Sequence, residues 1–282
     1  MEKEIKKLQN LLTKYIELNK MIVDQQAIAV VLSKKVGNIP VSDLDYEEDF
    51  IFFCFTKFTK SMIAIETLIE SDLYEDALNL TRSNYECLIN AKAVTKSDDM
   101  LDQLIDYKLG LNGEKKYRHA FSKKGNPIYN KVVNIHTLEE DNLINIKGIA
   151  DKAEEEVSYN NVYSFLSEIT HCNFLTSGYY REGIDYSYSM VNEIALVNTL
   201  LWNVYFNIKF YGLFIDEEVF DIEDLEKHVL SILLSDTLKV AKILEDEEKR
   251  VENEAKKLQD QDEIDQAKQY INRLVLLRTH MR

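Results

Sequence analysis

The sequence predicts an all-α protein, a multi-helix bundle with long amphipathic helices at its N- and C-termini. Only 8 Gly and 2 Pro occur among the 282 residues, too few to supply the turns of sheet sandwiches, barrels or doubly wound sheets. Hydrophobic residues make up 45% of the chain and charged residues 29%, and the apolar ones recur at helical spacing. We therefore expect a soluble globular protein with a sizeable core.

The first three helices follow from apolar spacing and from the breaks between them. Residues 2–36 predict an amphipathic helix, with a break over 37–40 where Gly and Pro occur. A second helix is expected from about 42 to 70, because its first turns are rich in Asp and Glu. Asp72 is the expected cap of a third helix over 73–96.

The rest of the chain is also expected to be mainly helical. Pro127 suits the first turn of a helix, Ser158 is an expected N-cap, and residues 177–183 predict a loop. The remaining predicted helices cover 128–137, 140–156, 158–173, 185–212 and 217–282. We divide the chain into an N-terminal helix over 1–40, a helical core domain over 41–215 and an acidic helical extension over 216–282.

The charge distribution narrows the classes of partner. The net charge of −15 disfavours a duplex-DNA binder, because backbone phosphates reward clustered Lys and Arg. Much of the negative charge lies between residues 245 and 265, where ten acidic residues face four basic ones. The terminal helices are expected to serve self-association or binding of a partner protein.

The sequence lacks the motifs of several kinds of site and the signals for export or membrane insertion. The three cysteines, Cys54, Cys87 and Cys172, lack the spacing of a disulfide framework or zinc site. The N-terminus has no apolar stretch of signal-peptide type, and the longest uncharged run near the middle, 194–208, is too short to span a membrane. Phosphate loops, HExxH and EF-hand motifs are missing. We expect cytoplasmic residence, no membrane association, no cofactor and no metal.

Two polar pairs lie at the margins of apolar helix faces. Arg82 and Glu86 are four residues apart, as are Ser167 and His171, so each pair shares a helix face. Tyr163 lies one turn before Ser167. If the two helices pack, Arg82 can hold an anion and His171 can act as general base or acid, with Glu86 orienting it. A buried network that fixes helix register is the alternative.

The same residues carry a resemblance to a known family. The segments Arg82-Ser-Asn-Tyr-Glu86 and Tyr163-Ser-Phe-Leu-Ser-Glu-Ile-Thr-His171 resemble the R-S-x-x-E and Y-x-x-L-S-x-x-x-H motifs of an uncharacterised all-helical family of bacterial domains of unknown function. The resemblance covers about residues 45–210. It implies a helical fold and brings no established reaction. It also implies an accessory role in bacterial mobile or anti-phage loci, with these candidate site residues: Arg82, Glu86, Tyr163, Ser167 and His171.

A basic stretch stands out from the acidic background. Residues 108–131 hold seven basic residues against Glu114, a local charge of +6. Aromatic residues lie between the cations, a combination that suits single-stranded nucleic acid or nucleotide phosphates. The alternative is a solvated face that pairs with the acidic C-terminal helix. The candidate anion-binding or nucleic-acid-binding residues are Lys115, Lys116, Arg118, Lys123 and Lys124.

Two functions from different classes stay open at this stage. The first is an intracellular bacterial effector or accessory protein in phage defence. It binds a phosphate-bearing ligand, or cleaves RNA without a metal, at the seam between the helices that carry Arg82 and His171. The second is a non-enzymatic helical interaction module whose polar seam is structural. The spacing of Arg273 and His280 also resembles that of helical ribonucleases of bacterial toxins, although it lies at the terminus.

Overall fold

Long α-helices make up most of the described chain, which confirms the mainly helical prediction. The computed structural model describes residues 2–25, 44, 46–113, 115–171, 174–182, 184–189, 191–216 and 224–258, with a few isolated positions beyond them. The long helices are α1 (Glu2–Gln25), α2 (Tyr46–Glu70) and α3 (Tyr74–Lys96), and later α8 (Glu193–Asp216) and α9 (Asp224–Ala255). A π-helical turn (Asp102–Asp106) and α4 (Tyr107–Asn112) follow α3.

A three-stranded antiparallel sheet replaces the helix predicted over 128–137, so that prediction is wrong. Its strands, in the order β1-β2-β3, are β1 (Tyr117–Phe121), β2 (Pro127–Asn134) and β3 (Glu140–Asn142). Gly125 has a φ of 81°, which permits the tight turn that sets Phe121 opposite Pro127. Pro127 opens a strand, where its missing N–H is tolerated. A single hairpin needs only one such turn, so the overall scarcity of Gly and Pro does not exclude it.

Other boundaries in the middle of the chain also differ from prediction. Instead of one helix over 140–156, β3 is followed by α5 (Ile146–Lys152) and α6 (Glu156–Ser158). Ser158 therefore lies in the first turn of a helical run and is not its N-cap. Its hydroxyl donates to the Glu155 carboxylate at 2.7 Å. Helical structure then continues as predicted, through a π-helical turn (Tyr159–Tyr163) into α7 (Ser164–Thr170).

The segment before α8 is more ordered than predicted. The expected loop over 177–183 is occupied by a 3₁₀ helix (Phe174–Tyr180), which leads into the short strand β4 (Arg181–Glu182). This strand pairs with β5 (Asp185–Tyr186) in antiparallel fashion. Helix α8 accordingly begins at Glu193 and not near residue 185.

The chain divides into two compact units that combine distant segments. The first unit comprises Met1–Ile28, Phe55–Leu88 and Asn160–Arg282, and the second comprises Ala29–Cys54 and Ile89–Tyr159. In the first unit an aromatic cluster forms the core, with the ring of Phe55 lying 4.8 Å from that of Phe214 and 5.5 Å from that of Phe210. The predicted three-segment division stays a prediction.

In the second unit the first strand of the sheet is tied to the helical segment before it. The carboxylate of Asp106 accepts hydrogen bonds from Lys116 Nζ at 2.8 Å and from the Tyr117 hydroxyl at 2.9 Å. Burial alone would raise the pKa of Asp106, but these two hydrogen bonds lower it overall. The ring of Tyr117 also packs edge-on against Tyr107 at 5.0 Å.

The packing of the Tyr117 ring against α4 depends on Gly110. It is buried in α4, and a Cβ at this position would lie 2.3 Å from Cδ2 of the Tyr117 ring. We expect Gly110→Ala to lower the free energy of unfolding by about 1–3 kcal/mol, because the ring must shift away from α4. Guanidinium unfolding measures the change. Gly178→Ala is the control, since nothing lies within 4 Å of its Cβ position; equal effects of the two substitutions would contradict the close approach.

Some predictions fall outside the described residues. These are the break over 37–40, the Arg273 and His280 pattern, and the continuation of the C-terminal helix beyond the described part of α9. Among the helices that the structure describes, none combines the length and apolar character needed to cross a membrane.

Candidate functional site

Arg82 and Tyr163 meet between helix α3 and the start of α7. Arg82 Nη2 donates to the Tyr163 hydroxyl at 2.7 Å, and the guanidinium carbon lies 4.9 Å from the centre of the Tyr163 ring. Tyr163 is only 8% exposed. The guanidinium is therefore held by a hydrogen bond and by a cation–π contact.

Glu86 completes this arrangement, which we call the Arg82 cluster (Arg82, Glu86 and Tyr163). Its Oε1 lies 3.3 Å from Arg82 Nε and accepts a hydrogen bond from the Tyr163 hydroxyl at 3.3 Å. The Arg82 and Glu86 side chains are 20% and 32% exposed. The two motifs singled out in the sequence thus come together at a partly buried site in the first unit.

Local structure explains why these three side chains converge. Arg82 and Glu86 are one turn apart on α3, at partly exposed positions between buried ones. Tyr163 ends the π-helical turn that precedes α7, and its ring packs 5.7 Å from the buried ring of Tyr85. Such π-helical turns inside helices occur frequently at functional sites.

Polar atoms on α3 and α7 are also buried without a hydrogen bond. Ser167 Oγ, on α7, is inaccessible to solvent and makes no hydrogen bond with any described residue. The Oδ1 atom of Asn79, one turn before Arg82 on α3, has the same character. Unsatisfied buried polar atoms are uncommon in folded proteins and often indicate a water or ligand position.

Asn79 was not among the candidates identified from the sequence. The signal that could have found it is its spacing of three residues from Arg82, which places both side chains on one face of α3. Asparagines at the edge of an apolar helix face are common, however, so this spacing alone does not indicate a functional residue.

His171 is exposed at the end of α7. It follows the last residue of α7, and its backbone N–H donates to the carbonyl of Ser167 at 3.1 Å. Within the described part of the chain, no hydrogen bond or ion pair joins its side chain to Arg82, Glu86 or Tyr163. The structure thus joins three of the five predicted residues, leaves the Ser167 hydroxyl without a partner, and places His171 at the solvent-exposed helix end.

The five basic candidates lie in the second unit, on the β1–β2 hairpin and just before it. Lys115 is exposed with a φ of 51°, and Lys116 is engaged by Asp106, whose hydrogen bond raises the pKa of Lys116. Arg118 is exposed on β1, and Lys123 and Lys124 are exposed in the turn. Lys116 therefore serves the packing of the hairpin, whereas the other four cations face solvent.

The fold and the site define a mainly helical protein with a partly buried arginine–tyrosine–glutamate cluster. Residues 48–183 match the model of a family described as a family of unknown function (DUF5677). This match covers just under half of the chain, contains both motifs, and confirms the expected resemblance to an uncharacterised domain family. Comparison with curated proteins and with solved structures found no match.

Proposed function

We propose that the protein binds a phosphate-bearing ligand at the Arg82 cluster. The main support for this proposal is the hydrogen bonding of the Arg82 guanidinium. Arg82 is fixed by Tyr163 and Glu86, yet Nη1 makes no hydrogen bond within the described residues and is not fully buried. A planar guanidinium with a free donor edge is the group best suited to phosphate oxygens.

The ion pair with Glu86 limits how strongly Arg82 can bind an anion. Glu86 neutralises Arg82 in the free protein, so a bound anion must compete with a carboxylate 3.3 Å away. Moderate affinity is therefore expected, with the ligand displacing the ion pair in part.

Cleavage of RNA is a narrower version of this proposal. It requires His171 to take the proton of the 2′-hydroxyl, so that this oxygen attacks phosphorus to form a 2′,3′-cyclic phosphate. The bond from phosphorus to the 5′-oxygen breaks, and this oxygen leaves with a proton from water, while Arg82 steadies the phosphate. His171 follows the last residue of α7, where its backbone is extended, and it is exposed to solvent. Binding is accordingly the function that the geometry supports best.

The cellular role that we propose is that of a bacterial effector or accessory protein of anti-phage defence, resident in the cytoplasm. It rests on the resemblance of the two motifs, which the match over residues 48–183 supports only at the level of an uncharacterised domain. Association through the terminal helices α1 and α9 belongs to the same proposal. Light scattering of the purified protein tests whether it is an oligomer.

A thermal-shift panel tests ligand binding. Inorganic phosphate and ATP are added separately to wild-type protein. A ligand at a hundred times its Kd stabilises the folded state by about 2.7 kcal/mol, which corresponds to a rise in melting temperature of roughly 5–10 °C for a chain of this size. We expect at least one probe to produce such a rise. The absence of any rise would contradict the proposal.

Arg82→Gln identifies the site in the same panel. It removes the charge and the forked donors, so the ligand-induced rise should disappear while the melting temperature without ligand changes little. Arg250→Gln is the matched control, because Arg250 also pairs with glutamates of its own helix, at 2.6 and 2.8 Å, but is exposed on α9. Its response to ligand should equal that of the wild type.

A register-fixing network is the second candidate role for the cluster. The specific observation in its favour is that the Tyr163 hydroxyl accepts from Arg82 and donates to Glu86, so that the three side chains satisfy one another in part. This role predicts that Arg82→Gln lowers the melting temperature by several degrees and that no probe stabilises the wild type. The same panel therefore separates the two roles.

A further inference from the structure

The β1–β2 hairpin presents aromatic rings and cations together to solvent. We define the hairpin surface as Arg118, Phe121, Lys123, Lys124 and Tyr129. Phe121 is 58% exposed and Tyr129 is 72% exposed. Exposed rings within a charged rim indicate an interaction surface.

The rings are held in place by neighbouring side chains. The guanidinium carbon of Arg118 lies 5.8 Å from the centre of the Phe121 ring, and Arg118 Nη1 donates to the carbonyl of His119 at 3.3 Å. The ring of His119 packs edge-on against Tyr129 at 5.3 Å and 70°. The surface is thus partly ordered before any ligand arrives, which lowers the entropic cost of binding.

The turn holds its two lysines on a defined backbone. Gly125 N–H donates to the Ser122 carbonyl at 2.9 Å, and Ser122 N–H donates to the Asn126 carbonyl at 2.8 Å. The side chain of Ser122 also accepts from the Asn126 N–H at 3.1 Å. Lys123 and Lys124 lie between these bonded residues and are exposed.

The cations of the hairpin surface are available to a ligand. The hairpin lysines that do form ion pairs are Lys116, at 2.8 Å from Asp106, and Lys131, at 3.9 Å from Glu140. Arg118, Lys123 and Lys124 form no ion pair with any residue that the structure describes. The surface therefore carries three uncompensated positive charges in a protein whose net charge is −15.

From these contacts we infer that the hairpin surface binds single-stranded nucleic acid. Bases stack on Phe121 and Tyr129, while Arg118, Lys123 and Lys124 face the phosphates. A duplex does not fit this chemistry, since its bases are stacked on one another and their faces are not available. Binding here is independent of the Arg82 cluster and does not rest on the function proposed for it.

Fluorescence anisotropy with a labelled oligouridylate tests this inference on the full chain. We expect wild-type protein to bind the single strand and to bind a duplex of the same length at least tenfold more weakly. Phe121→Ala combined with Tyr129→Ala should weaken single-strand binding by about tenfold or more. Tyr188→Ala is the matched control, because Tyr188 is an aromatic residue fully exposed elsewhere on the chain, and it should leave the affinity unchanged.

Salt dependence tests the role of the lysines. The slope of log affinity against log salt is about −0.7 for each phosphate neutralised on a single strand, so Lys123→Gln with Lys124→Gln should reduce its magnitude by roughly 1.4. Lys256→Gln with Lys257→Gln, a pair of adjacent exposed lysines after α9, should not change it. Circular dichroism confirms that each variant is folded.

Four results would overturn the inference. One is wild-type protein that does not bind the oligouridylate, and another is binding that the two ring substitutions leave unchanged. The third is equal binding of single strand and duplex. Vesicles of phosphatidylcholine and phosphatidylserine provide a further arm, since a membrane surface would also accept rings and cations; binding to vesicles without binding to the oligouridylate would likewise overturn it.

Discussion

Replacing Asn19 by leucine is expected to lower the free energy of unfolding by about 3 kcal/mol or more. Asn19 is fully buried on α1, where its amide donates to Asn207 Oδ1 at 2.9 Å and its carbonyl accepts from the Tyr211 hydroxyl. Leucine supplies neither group, and each partner is then left in the core without its hydrogen bond, at a cost of about 1–3 kcal/mol per group.

Thermal unfolding followed by circular dichroism measures this effect. A loss of about 3 kcal/mol corresponds to a fall of roughly 6–12 °C in melting temperature. Asn10→Leu is the matched control, because Asn10 is on the same helix but exposed, and its change should stay below about 0.5 kcal/mol. An equally small change for Asn19→Leu would show that α1 is not held on α8 by this network.

Replacing Lys92 by methionine is the second substitution with a large expected effect. Lys92 Nζ lies 2.7 Å from Glu155 Oε1, and the Glu155 side chain is only 7% exposed. The Ser158 hydroxyl donates to the other carboxylate oxygen at 2.7 Å. Without Lys92 the buried carboxylate loses this ion pair, so the free energy of unfolding should fall by about 3 kcal/mol.

The exposed pair of Lys152 and Asp99 provides the control for this prediction. Their separation is 3.2 Å, but the side chains are 43% and 60% exposed, so Lys152→Met should cost about 1 kcal/mol or less. Both lysines belong to the second unit and both are replaced by the same residue. Equal losses in the two variants would contradict the view that burial decides the effect.

Much of the helical fold could be predicted from the sequence, because it depends on local spacing. The apolar repeats placed α2 and α3 within a few residues of their observed bounds. The β1–β2 hairpin was not predicted, because a single hairpin requires only one turn. In addition, β2 is a short segment whose buried Val132 and Val133 suit a strand or a helix equally. Its pairing with β1 joins two separate segments, and the spacing of apolar residues within one segment does not reveal such a contact.

The candidate site could be predicted only in part, for a similar reason. The spacing of Arg82 and Glu86 places them on one helix face, and the motif identified Tyr163, so the three members of the cluster were all expected. Their mutual distances depend on how the start of α7 packs on α3. Helix α7 also ends at Thr170, and His171 has the extended backbone angles φ −87° and ψ 146°, so it leaves the helix face that its spacing from Ser167 predicted.

We propose above that Arg82, held by Tyr163, binds a phosphate-bearing ligand. Isothermal titration calorimetry with the probe that gives the largest thermal shift tests it most directly, on wild type, Arg82→Gln and Tyr163→Phe. We predict that Arg82→Gln weakens binding by at least about tenfold, equivalent to roughly 1.4 kcal/mol. Tyr163→Phe should weaken it less, because the ring contact remains while the hydrogen bond is lost. Affinities equal to that of the wild type in both variants would contradict the claim.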